Sequence, residues 1–144
     1  MTGNTKSGTA LEDIKISTKL KISALWASVM LLYLYGDYFS LYKTGTLDHM
    51  LAGEIGPLGQ VTQGILLGTS VLMAIPALMV FLAIVLKPAV NRWSNIILGV
   101  IYTVIVLIGL PGEWYYYIFL GVLEAILTLL IVWYAWTWPK NNNH

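Results

Sequence analysis

The sequence predicts an all-α integral membrane protein, an antiparallel four-helix bundle with a short N-terminal interfacial helix. Three observations carry that expectation. Hydrophobic residues make up 58% of the chain and charged residues 10%, with a mean hydropathy of +0.74, whereas globular domains are about half apolar and one quarter charged. Four apolar runs approach the roughly 20 residues needed to cross about 30 Å of hydrocarbon. Lysine and arginine collect at the ends of those runs, nearly all on one side of an alternating path. The runs consume most of the 144 residues, so a single membrane domain over 1–144 is expected, with no soluble catalytic domain.

Charge and residue usage exclude several function classes. A net charge of +1 provides no basic surface for nucleic acid. The absence of cysteine removes disulfides, thiolate metal sites and cysteine nucleophiles. His49 and His144 stand far apart and form no ligand-spacing motif, and no Ser/His, His/Glu or paired-aspartate arrangement is present. The expectation is a non-enzymatic protein without metal or cofactor.

Residues 1–8 are small and polar and read as a tail. Thr9 and Glu12 fit a capping box, with Leu11, Ile14 and Thr18 on one face of a short interfacial helix. The first span is expected over 20–41. Trp26, Met30, Tyr33 and Asp37 recur at helical spacing along it, placing Asp37 about one turn from its far end. Residues 43–59 contain four glycines and a proline, so they read as a loop with one helical turn around 47–51. Asp48, His49 and Glu54 there read as solvated charges rather than as a cation site.

The second span is expected over 60–86. Gly64 and Gly68 form a GxxxG pair, a packing surface for another helix either within the chain or on a second copy, and Pro76 should kink the span by freeing a carbonyl. Lys87–Ser94 reads as a basic turn and the third span as 95–110, with Asn95, Gly99, Tyr102, Val106 and Gly109 on one packing face. Pro111-Gly112 makes a turn too short for anything but antiparallel neighbours. The fourth span is expected over 113–138, ending in an aromatic belt of Trp133, Tyr134, Trp136 and Trp138.

Topology follows from the basic residues. Lys6, Lys15, Lys19, Lys21, Lys87, Arg92 and Lys140 fall on one side and only Lys43 on the other. The positive-inside rule then puts both termini in the cytoplasm. Glu113 opens the fourth span on the outer side, and Glu124 lies about 16 Å deeper at 1.5 Å per residue, near the midplane. Acids at that depth are costly unless they are paired or used, and no lysine or arginine lies deep within the spans, Lys21 standing at the very start of the first. A protonatable group is therefore expected rather than a permanent ion pair. Glu124, Asp37, Tyr117, Tyr33 and Glu113 are the candidate proton- or ion-binding residues, and Gly64, Gly68, Asn95, Gly99 and Pro76 the candidate packing residues. A neutral, purely structural Glu124 is the competing explanation.

Three roles fit: a small proton-coupled or cation transporter, a small oligomeric channel, and an accessory subunit of a membrane complex. Partners are then the bilayer and either further copies of the chain or another membrane protein. The segments LEDIK at 11–15, KLKISALW at 19–26, LYLYGDYFSLY at 32–42, GPLGQVTQG at 56–64, AIPALM at 74–79, LKPAVNRWSNIILG at 86–99 and LIVWYAWTWPK at 130–140 resemble DUF6326, a family of small four-span bacterial membrane proteins of unknown function. That resemblance implies the four-span fold and a bacterial origin, and it brings no activity with it. It also implies a position often apolar at 113, which argues against a required role for Glu113.

Overall fold

The computed structural model describes residues 14–56 and 59–139. Four helices in it are long and apolar enough to cross a membrane: α1 (Thr18–Ser40), α3 (Gln63–Val85), α4 (Pro88–Gly109) and α5 (Tyr115–Trp136). A short helix α2 (Thr46–Leu51) and a two-residue antiparallel pair, β1 (Glu54–Ile55) with β2 (Gly59–Gln60), fill the connection between α1 and α3. The helical turn around 47–51 is present. The β pair was not expected from sequence. Gly56 and Gly59 flank its tip at φ 37° and 73°, backbone that a side chain disfavours.

Local chemistry sets the helix starts. Ser17 caps α1 through its Oγ, which accepts from Leu20 N–H at 3.3 Å, and Thr62 caps α3 by accepting from Ile65 N–H at 3.2 Å. The expected interfacial helix lies mostly outside the described residues, and 14–17 at its end are not helical. α4 differs from the sequence reading. It begins at Pro88, seven residues before the expected 95, because proline at the first helical position needs no N–H partner and has the required φ fixed. Only Leu86–Lys87 separates α3 from α4, so the basic turn expected over 87–94 is helix.

Alternation of the helices gives the bundle two ends. The terminal end holds Thr18, Leu86–Lys87 and Trp136, and the loop end holds residues 41–62 and 110–114. α1 packs between α3 and α5, and α5 packs between α1 and α4, whereas α3 and α4 hardly meet although they are consecutive. The α3 and α4 backbones stand apart, and side chains such as Asn91 and Tyr102 bridge the gap.

The core gathers in the terminal half, from Ile22, Trp26, Val29, Met79, Ala83, Tyr102, Ile131 and Ala135. A buried polar chain threads it. Trp26 Nε1 donates to Asn95 Oδ1 at 2.7 Å, Asn95 Nδ2 donates to Asn91 Oδ1 at 2.6 Å, and Asn91 Nδ2 donates to the Ala83 carbonyl at 2.5 Å. Lys19 Nζ donates to the Ile84 and Leu86 carbonyls at 2.9 and 2.7 Å, satisfying the end of α3 where no further helical N–H follows. Asn91 was hidden from the sequence reading because it had been placed in a turn.

Glycine placement separates two surfaces. A Cβ on Gly99 would stand 2.7 Å from Val132 Cγ2 and 3.2 Å from the Thr128 carbonyl, so α4 and α5 approach through this residue. Nothing lies within 4 Å of a Cβ on Gly68, and Gly64 meets only its neighbour Thr62. The Gly64/Gly68 pair therefore packs against no helix of its own chain, which corrects the within-chain half of that expectation: α3 turns this stripe outward while burying Pro76, Met79 and Ala83.

Candidate functional site

Pro76 explains how the site forms. Lacking an N–H, it leaves the carbonyl four residues earlier, that of Leu72, without its helical donor. The Tyr102 hydroxyl of α4 donates to that carbonyl across the gap. Tyr102 also packs edge-on against Trp26, with ring centroids 5.8 Å apart. It closes the top of the core and forms the floor of what lies beyond.

Beyond it, towards the loop end, is a cavity of about 120 Å³. Tyr33 and Asp37 line it from α1, Leu72 and Met73 from α3, Tyr102, Ile105, Val106 and Gly109 from α4, and Tyr117 from α5. All four long helices contribute. The buried Gly36 would bring a Cβ to 3.9 Å from Tyr117 Cε2 and Leu120 Cδ1, ordinary contact that seats Tyr117 against α1.

Glu124 stands behind this lining at 7% exposure. Its backbone carbonyl accepts from Thr128 Oγ1 at 3.0 Å, whereas its carboxyl receives no hydrogen bond or ion pair from the described residues. Tyr117 stands two helical turns before Glu124 on the same face of α5, and Tyr33 one turn before Asp37 on α1. The Tyr33 hydroxyl is itself buried without a partner among the described residues, an uncommon state for a polar group in a folded core. Asp37 lies exposed at the rim. Among the described residues no basic side chain lines the cavity. The result is an acidic and aromatic pocket with one buried hydroxyl, that of Tyr33, unpartnered among the described residues.

Of the sequence candidates, Tyr33, Asp37, Tyr117 and Glu124 come together here, and Glu113 does not. Glu113 sits in the turn before α5, where Lys43 Nζ reaches its Oε2 at 2.9 Å. A larger, shallow depression of about 410 Å³ lies beside it, formed by Glu113, Trp114, Tyr115 and Tyr116. Its one acid is already neutralised, so the smaller cavity carries the chemistry. His49 pairs with Glu54 at 2.8 Å in the loop, and among the described residues no three metal-ligating side chains converge.

Sequence reading missed Tyr102 as a site residue, assigning it only to a packing face, and missed Leu72 and Met73 entirely. A signal for Leu72 was present: Pro76 names the carbonyl it frees. Nothing local reveals which tyrosine answers it.

Residues 13–144 match the family described as a family of unknown function, DUF6326. The chain belongs to that family. No curated protein and no solved structure matches the chain. The DUF6326 match spans all four long helices, and so includes every residue of the cavity and Glu124.

Proposed function

We propose that this DUF6326 protein carries protons or small cations across a bacterial inner membrane, with Glu124 as the group that binds and releases them. The observation supporting this is a buried carboxyl without a basic partner, set behind a cavity that also carries Asp37 and unpaired Tyr33. A structural acid would be expected to have its oxygens satisfied, because an unpaired buried polar group is costly. Lys19, Lys21, Lys87 and Arg92 at the terminal end, against Lys43 at the loop end, support cytoplasmic termini. In that orientation the cavity belongs to the outer half of the membrane.

The test uses full-length protein in liposomes with an imposed pH gradient. Wild type dissipates the gradient, and Glu124→Gln slows this at least tenfold while its thermal unfolding stays close to wild type. Equal rates for the two would sink the proposal. A second reading, an accessory or oligomer-forming subunit, is favoured by the outward Gly64/Gly68 stripe of α3. Stoichiometric co-purification of another membrane protein, with no gradient activity, would replace the carrier reading with that one.

A further inference from the structure

We propose that the cavity between α1, α3, α4 and α5 binds a small alkylammonium cation, embraced by the rings of Tyr33, Tyr102 and Tyr117 with Asp37 and Glu124 as counter-charges. This rests on the reading of Glu124 as a cation-binding acid and adds the class of cation. Three features of the lining select it. Leu72, Met73, Ile105 and Val106 make much of the wall apolar, which suits a ligand with methyl or methylene groups and wastes contact on a bare inorganic ion. Hard cations such as calcium and magnesium require about six oxygen ligands, and among the described residues no group of three acidic, histidine or cysteine ligands converges. Tyrosine rings, in contrast, attract an ammonium group through their quadrupole, and do so most strongly where water is excluded.

Size narrows the class. At about 120 Å³ the cavity is well below the roughly 300 Å³ at which pockets for drug-sized ligands begin, so the cation has few heavy atoms. The titratable groups lining it are Tyr33 and Asp37 from α1, Tyr102 from α4 and Tyr117 from α5, with none from α3, and Glu124 lies on the Tyr117 face of α5, two turns beyond that ring and outside the lining. None is basic. The Tyr33 hydroxyl, buried without a partner among the described residues, offers an oxygen lone pair to the cation's positive charge.

Calorimetric titration of full-length protein in detergent with tetramethylammonium chloride tests this, with tert-butyl alcohol as the neutral analogue. Tetramethylammonium binds saturably and the alcohol at least tenfold more weakly. Glu124→Gln weakens the cation at least tenfold. Tyr117→Leu weakens it by about tenfold and Tyr117→Phe, which keeps a ring, restores most of that loss. Should Glu124→Gln fail to fold by gel filtration, the Tyr117 pair decides. Absence of tetramethylammonium binding, or equal binding of the alcohol, overturns the proposal even where Glu124→Gln still abolishes gradient dissipation, in which case protons are the cargo. Saturable, charge-selective binding without any gradient activity supports the site and removes the proton-coupled reading instead.

Discussion

The two halves of this bundle are built from the same four helices and differ in how their polar groups are satisfied. In the terminal half, Trp26, Asn95, Asn91 and the Ala83 carbonyl form an unbroken hydrogen-bond chain, Lys19 covers the last carbonyls of α3, and Arg92, whose buried Nε has no hydrogen-bond partner among the described residues, rests its guanidinium against the rings of Trp93 and Trp136. In the loop half, the Tyr33 hydroxyl is buried without a partner among the described residues, and the carboxyl of the buried Glu124 receives no hydrogen bond or ion pair from them. Satisfied polar networks rigidify a core. Unsatisfied groups beside a cavity are the usual condition of a binding site. The contrast assigns structure to one half and ligand chemistry to the other, with Tyr102 as the boundary.

Breaking the sealed half should have the largest effect. Trp26 is fully buried and joins the aromatic and polar parts of the core. Trp26→Ala should cost about 3–5 kcal/mol in unfolding free energy measured in mixed micelles. A cost under about 1 kcal/mol would mean that the terminal half is not the stability centre.

Glycine substitutions sharpen the comparison at intermediate scale. Gly99→Ala forces a Cβ against Val132 and the Thr128 backbone and should destabilise by about 1–3 kcal/mol. Gly68→Ala meets open space and should change stability by less than about 0.5 kcal/mol in the dispersed monomer. Equal losses at both positions would show that the outward stripe is packed in the working protein.

The smallest expected effect tests the boundary itself. Tyr102→Phe keeps the ring contact with Trp26 and removes the donor to the Leu72 carbonyl. A hydrogen bond between membrane helices is worth about 1 kcal/mol or less, so stability should fall only slightly. Hydrogen exchange should nevertheless quicken in α3 around Leu72–Pro76, where the freed carbonyl loses its only cross-helix donor among the described residues. Unchanged exchange there would detach the carbonyl freed by Pro76 from the cavity.

Much of this was legible in the chain because hydropathy is a one-dimensional property. The membrane class and the spans came from runs of apolar residues, and Glu124 stood out because an acid inside such a run is rare. Helical spacing alone put Tyr33 on the stripe of Asp37, and Tyr117 on that of Glu124. Boundaries were less secure. Pro88 reads as a breaker in a list of residues but serves as a helix start once it occupies the first position. Glu113 looked like the mouth of a polar path, and only the folded loop showed Lys43 beside it.

By itself, then, the sequence determined that four helices enter the membrane, which residues are costly there, and which carbonyl Pro76 must release. Tertiary structure decided who answers those costs. It met the Leu72 carbonyl with Tyr102, gave Asn95 to Trp26, turned Gly64 and Gly68 outward, and left Glu124 without a partner beside a cavity. The division has a physical cause. The cost of placing a polar group in hydrocarbon depends on that group alone, whereas its compensation depends on which face of a distant helix is rotated towards it.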